Sequence, residues 1–280
     1  MPWYWQCCWA GELMRGNAGG ERLPRMSCMK SVRDPTHLCR LVLAAGTLVH
    51  QSGGDTARTA KIMSRTARAL GADTVHTIVS SLNLGVTVEL NGRQRTVFHK
   101  APHMGVNFRT LTGVGRAVNA LEACRIGPGA FESLLDDLRS RPNYYPRWLT
   151  ALTVGLACGG FAALFGGDLA AVLVTLLGSG IGSWVRLWMA ARHYKPFIFA
   201  TVTAAIAALV VGLLAKQFSY TPEPAIAASV LFLIPGVPLI NAMADMLSGN
   251  YLNGGVRLTM SAVIIAGIGV GVSLALRVVH

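Results

Sequence analysis

The residues that could do chemistry lie in the last third of the chain. Leu233-Ile234-Pro235-Gly236-Val237-Pro238-Leu239-Ile240-Asn241 sets two prolines and a glycine inside an otherwise apolar run. Each proline lacks an N–H and clashes with the preceding turn, so a helix there must break. Lipid offers no partner for the freed carbonyls, and protein, water or a solute must supply one. Broken helices of this kind form midplane binding sites in transporters. Asn241 and Asp245 follow four residues apart, on one face of the helix after the break. Asp245 falls near the membrane edge, either as an interfacial acid or partner of Arg257 or as a proton or polar relay. Arg186 stands at the edge of an apolar span, to snorkel to the interface or to attract an anion. The candidate substrate region is therefore Pro235, Gly236, Pro238, Asn241 and Asp245, with Arg186.

These residues sit in a strongly apolar setting. Hydrophobic residues make up 52% of the chain and charged residues 14%, against about 25% charged in a typical soluble domain. The excess is concentrated after residue 147. Five windows of about 17–20 residues without a charge follow, each long enough to span hydrocarbon: Trp148–Phe165, Leu169–Val185, Phe197–Ala215, Ala225–Ala244 and Leu258–Leu276. Short connections make neighbouring helices antiparallel. Pairs four apart, Gly155 and Gly159, Gly178 and Gly182, Gly267 and Gly271, let helices approach closely. The fold expected is a membrane all-α bundle of about five transmembrane helices, preceded by a small cytoplasmic α+β domain.

Charge placement gives an orientation. Arg139, Arg141 and Arg147 precede the first span, Arg186, Arg192 and Lys195 lie between the second and third, and Arg257 between the fourth and fifth. The other side holds Asp168, Lys216, Glu223 and Arg277. The basic bias puts the N-terminal part in the cytoplasm and the C-terminus outside. Tyr144, Tyr145 and Trp148 supply an aromatic belt at the first span. The net charge of +12 thus follows the membrane pattern, and no zinc-finger or RNA-binding motif points it towards nucleic acid.

Three segments follow. Residues 1–35 read as a disordered tail, or as an extension from an early start codon with Met26 or Met29 as the start. The aromatic opening Trp3-Tyr4-Trp5 is too short to span and lacks the parts of a signal peptide. Residues 36–142 read as the α+β domain. A helix carries Leu38, Leu41, Val42, Ala45 and Val49 and stops at Ser52-Gly53-Gly54, and Asp55 or Thr56 caps the next, which runs to Leu70. Alternation at Val75, Thr77 and Val79 and from Leu84 to Leu90 gives strands. Asn91-Gly92 gives a hairpin turn, Arg93 to Lys100 the returning strand, and helices follow at Leu111–Ala123 and Pro128–Arg139. Residues 143–280 form the transmembrane domain.

Several chemistries are excluded. The six cysteines show no metal spacing or disulfide framework. His76, His99 and His103 are not at helical ligand spacing, so no metal and no cofactor is expected. Gly113-Val114-Gly115 lacks the third glycine and the βαβ setting of a dinucleotide site. With no catalytic pair and no phosphate-binding loop, neither an enzyme nor a nucleotide-driven pump is indicated.

Tyr145-Pro146-Arg147-Trp148-Leu149, Ala227-Ala228-Ser229-Val230-Leu231, Pro235-Gly236-Val237-Pro238-Leu239-Ile240-Asn241-Ala242 with Asp245, and Gly53-Gly54-Asp55 resemble the threonine/serine exporter family. The likeness covers about residues 36–280 and is greatest to the subfamily of YjjP-type inner-membrane subunits implicated in succinate export. Members of full length carry about ten spans, so the resemblance implies a separate small membrane partner of the YjjB type. It implies secondary export of a small dicarboxylate such as succinate across a bacterial inner membrane. The alternatives are threonine/serine export, and a membrane-anchored sensor or assembly protein.

Overall fold

The computed structural model describes residue 32 and residues 34–101, 105–140, 145–192 and 194–279. The N-terminal segment through Ser31, His103, Arg141, Pro142, Tyr144 and His280 lie outside the described residues.

The chain opens with α1 (Pro35–Gln51), whose first turn is fixed by Pro35 and by Asp34 accepting from the Thr36 N–H. Gly53, at φ 92°, makes the turn into α2 (Thr56–Ala69). A Cβ on Gly54 would come within 2.7 Å of the Val49 side chain and 2.9 Å of its carbonyl. Both glycines are therefore required for so tight a corner. Asp55 caps α2 by accepting from the Arg58 N–H.

Strands β1 (Thr74–Val79), β2 (Asn83–Leu90) and β3 (Arg93–Lys100) form an antiparallel meander with β2 central. Asn91 and Gly92 turn the second hairpin with φ of 52° and 73°, the positive pair such a turn demands. Leu84, Val86, Val88 and Leu90 alternate onto the buried face and close a core with α1, α2, α3 (Phe108–Glu122) and α4 (Pro128–Ser140). Arg65 on α2 is forked onto Glu122 and bonds Asn119, tying α2 to α3. That guanidinium holds the Glu122 carboxyl below its usual range.

The membrane half contains α5 (Arg147–Leu164), α6 (Leu169–Ala191), α7 (Pro196–Phe218) and α10 (Tyr251–Val279), each long and apolar enough to cross a bilayer. Between α7 and α10 lie α8 (Pro222–Ser229), a 3₁₀ turn (Leu231–Leu233) and α9 (Gly236–Leu247). The two halves of this pair meet at 62°, and counted as one broken span they make the total five. Large side chains such as Leu156, Leu173, Leu177, Leu213, Val270 and Leu274 point outward, as a lipid-facing surface requires.

One difference from the expected spans matters for function. The last helix begins at Tyr251, not Leu258, and its 29 residues reach about 43 Å at 1.5 Å per residue. That exceeds a hydrocarbon core of about 30 Å. Arg257, expected in a loop, is therefore a buried residue within α10. Arg186 likewise lies inside α6 rather than after it.

The far ends of the helices are knotted by one carboxylate. Asp168 caps α6 through the Ala171 N–H and accepts from Ser219 Oγ, Thr221 Oγ1 and the Tyr220 N–H. At the same end Lys216 Nζ donates to the Val279 carbonyl at 2.9 Å. The bonds to Asp168, Ser219's foremost, pull its carboxyl down from 3.8 to about 2. The stabilisation is complete above 3.8 and disappears as pH falls through about 2. Asp168→Asn should therefore lower thermal stability in detergent at pH 7 and narrow the gap to wild type as pH approaches 2.

Small residues set the helix spacing. A Cβ on Gly271 would lie 2.3 Å from the Thr201 carbonyl of α7, and one on Gly155 2.6 Å from the Leu176 carbonyl of α6. Backbone cannot give way as a side chain can, so Gly271→Val should force α7 and α10 apart. A loss of about 1–3 kcal/mol is expected, read as a lower unfolding midpoint in detergent.

Candidate functional site

Pro235 and Pro238 leave α8 and α9 without a continuous hydrogen-bond ladder, and the structure shows where each freed group goes. The Leu231 carbonyl, denied the Pro235 N–H, accepts from Ile234 at 3.2 Å. The Ile234 carbonyl, denied Pro238, accepts from Gly236 at 2.8 Å. Gly236 is thereby drawn away from Phe232, whose carbonyl receives Arg186 Nη1 at 3.4 Å instead. The α6 face carrying Arg186 also supplies Thr175 Oγ1 to the Ala225 carbonyl and Ser179 Oγ to the Ser229 carbonyl. The half-helix before the break is held along its length by α6.

After the break, Asn241 and Asp245 face the N-terminal α+β part. Asn241 Nδ2 donates to the Gly53 carbonyl at 2.8 Å. Asp245 Oδ1 accepts from the Thr56 N–H at 3.0 Å. From α10, Arg257 Nη2 donates to the Gly54 carbonyl at 3.1 Å, and Arg257 Nε lies 3.4 Å from Asp245 Oδ2. Asn253, one turn earlier, donates to Thr56 Oγ1 and to the Val79 carbonyl, and Ser81 Oγ donates to its Oδ1. Asp245 is 1% exposed and Arg257 8%, so the pair is shut off from water and its geometry matters. Asp245 thus lies against Arg257, the partner the sequence offered it.

A cavity of about 580 Å³ adjoins this junction. Its walls come from both halves: His50, Ser81, Gly105 and Val106 from the α+β part, and Arg186, Ala190, Pro196, Phe199, Leu233 to Pro238, Asn241, Arg257, Met260, Ser261 and Ile264 from the membrane helices. The volume suits a small-molecule site, and apolar walls with a few convergent polar groups are the usual build of one. Among the described residues its lining includes Arg186 and Arg257 and no aspartate or glutamate. Arg257 Nη1 has no hydrogen-bond partner among the described residues. His50 Nε2 lies 3.0 Å from the Ser81 carbonyl, which holds the ring against the wall.

Five of the six residues singled out in the sequence, Pro235, Gly236, Pro238, Asn241 and Arg186, line this cavity. Asp245 stands behind it, against Arg257. Arg257 as a wall residue, Asn253, and the carbonyls of Gly53 and Gly54 were not evident from the sequence. The available signal was the i, i+4 spacing of Asn253 and Arg257, hidden because α10 was expected to begin after both. No group of three or more metal-binding side chains occurs among the described residues.

Asp245→Ala leaves the Arg257 charge buried without its partner, which costs about 3–5 kcal/mol, and it also deprives the Thr56 N–H. The variant should show a lower unfolding midpoint and faster proteolysis between the α+β part and the bundle.

Comparison with known proteins agrees with this architecture. The sequence model of the family described as "Putative threonine/serine exporter" matches residues 40–279. The chain is 35% identical over 241 residues to the "Probable succinate transporter subunit YjjP" of Escherichia coli K12, covering 85% of this chain and 93% of that one. It is 26% identical over 211 residues to the "Threonine/serine exporter" of Corynebacterium glutamicum, covering 72% of this chain and 42% of that one. No solved structure matches the chain. A multi-pass bundle with a broken span, matched along nearly its whole length, identifies the chain as a member of the threonine/serine exporter family, a family of membrane exporters and not of enzymes.

Proposed function

We propose that the chain is a subunit of a secondary transporter exporting a small dicarboxylate such as succinate across the bacterial inner membrane. The observation that carries the substrate class is the cavity beside the Pro235–Pro238 break, lined among the described residues by Arg186 and Arg257 and by no acidic residue, with Asp245 behind the wall against Arg257. A guanidinium suits a carboxylate, and Asp245 offsets only one of the two. An amino acid would also bring an ammonium group, for which the lining offers only neutral acceptors. The name borne by the Escherichia coli relative, a succinate transporter subunit, supports the same reading.

Pro235, Gly236, Pro238 and Asn241 form the substrate region on this reading, with Arg186 as an anion-attracting wall residue and Asp245 as the polar relay behind it. The word subunit in the relative's name supports a second chain, and a small membrane partner of the YjjB type would complete the machine. The proton gradient would drive export. Arg139 before α5, Arg147 at its start, and Arg186, Arg192 and Lys195 around the α6–α7 connection support a cytoplasmic α+β part and a C-terminus outside.

Metabolite export from cells with and without this chain, each with and without the partner, tests the assignment. Succinate should fall inside and rise outside only when both chains are present. Arg186→Gln should reduce export by about tenfold or more, the worth of a charge-assisted hydrogen bond, without loss of protein from the membrane. Unchanged succinate levels, or export of threonine from labelled dipeptide instead, would sink the dicarboxylate assignment.

A further inference from the structure

We propose that the outer face of the β-sheet, at its β1–β2 end, is a lipid-binding surface that seats the α+β part on the headgroup layer of the bilayer its own helices cross. The described residues of that part expose six large apolar side chains, Ile78, Leu82, Phe98, Val106, Phe108 and Leu134. All but Leu134 lie on segments bound to the membrane half or to the corner docked on it. The Val79 carbonyl and Ser81 Oγ bond Asn253 of α10, and the Asn107 N–H, between Val106 and Phe108, donates to the Ser52 carbonyl. Apolar residues scattered singly over a surface need no partner, whereas a group gathered at one end marks a contact.

The sheet register builds the patch. Val75, Val79, Leu84 and Val97 pack on the core, so Ile78, Gly85 and Phe98, side by side in the register, share the opposite face. Gly85 makes room for the Phe98 ring, whose Cε1 lies 2.5 Å from where a Cβ would stand. Ile78 is 59% exposed, Phe98 64%, and Leu82 in the adjoining turn 50%. The next rows, His76-Thr87-Thr96 and Thr74-Glu89-Gln94, are polar. The face thus grades from apolar beside α10 to polar at the Asn91-Gly92 hairpin, and Lys100, paired with Asn83, brings a positive charge to the apolar end.

Depth selects lipid as the occupant. The uncharged stretch of α10 runs from Leu258 to Leu276, and about 20 helical residues fill the hydrocarbon. Asn253 precedes that stretch by about 7 Å, at the level of the headgroup layer, which is about 5–8 Å deep on each side. The β1–β2 turn, bonded to Asn253, stands at the same level. Apolar side chains beside a lysine there meet acyl-chain ends and phosphates. The turn also carries Ser81, a wall residue of the cavity, so lipid contact steadies that wall.

Two measurements test this in nanodiscs of phosphatidylcholine and phosphatidylglycerol, doped with a lipid carrying a diazirine beside its glycerol ester. Photolysis with the full-length wild type should leave adducts on Ile78, Leu82 and Phe98 about fivefold or more above those on Thr74 and Gln94 at the polar end. Ile78→Ser/Phe98→Ser should then cut the labelling of Leu82 several-fold while α10 is labelled as before. Equal labelling of the two ends, or labels on the spanning helices alone, would overturn the inference, as would unaltered Leu82 labelling in the variant. If the variant fails to fold, the wild-type labelling decides alone. Labelling that vanishes when a partner chain is reconstituted alongside would assign the face to protein and overturn the lipid reading.

Discussion

The structure turns on the docking of one backbone corner against three membrane side chains. Gly53, Gly54 and Thr56 offer two carbonyls and an N–H, and Asn241, Arg257 and Asp245 receive them. Backbone groups at a helix-to-helix corner must find partners, because neither α1 nor α2 can satisfy them internally. Here they find them on another part of the molecule. The corner is available for this because two glycines allow it, the first by its positive φ and the second by the absence of a Cβ beside Val49. Without the corner, Asp245 and Arg257 would face each other across a long 3.4 Å contact with further buried valences open. The membrane ion pair and the α+β part thus complete each other.

A second constraint lies deeper in the bundle. A break in a spanning helix is tolerable only where neighbouring elements take up the released backbone groups. On α6, Thr175, Ser179 and Arg186 recur at four- and seven-residue spacing, and they meet the carbonyls of residues 225, 229 and 232. The match arises because α6 and α8 run in the same direction along their seam. Small side chains keep that neighbourhood tight: Gly182 sits where a Cβ would press on Ala207 and Phe232. The broken span is therefore a braced element, and the opening beside Pro235 is walled rather than collapsed.

The sequence was most readable where a pattern is local. Helix corners, the Asn91-Gly92 hairpin, the apolar alternation of β2 and the apolar windows all follow from neighbours within a few residues, and the elements appear where those neighbours put them. The break at Pro235 was equally plain, because proline chemistry does not depend on context. The helix ends were less so. Hydrophobicity sees only lipid-facing length, so the first turns of α10, which contact the α+β part rather than lipid, read as loop. That one shortfall concealed Arg257 and Asn253 as site residues. Nor could any local pattern join Thr56 to Asp245, a bond across 189 positions in the sequence.

This explains why the cavity lies at the junction rather than at the centre of the bundle. The interior of α5, α6, α7 and α10 is closed by glycine and alanine contacts, where Ala200, Ala204, Ala207 and Ala208 of α7 are almost wholly buried. Such packing draws α7 close against its neighbours. At the α9 end the break turns the chain by 62°, and the helices can no longer fill the volume between them. The α+β part covers the gap with His50, Ser81 and Val106 but does not fill it. On the proposed reading, a solute leaving this cavity for the far side would pass the braced half-helix α8. One leaving towards the α+β part would meet the Gly53–Thr56 corner held on Asp245 and Arg257. Movement of one barrier without the other is what alternating access requires, and here the two barriers share the broken span.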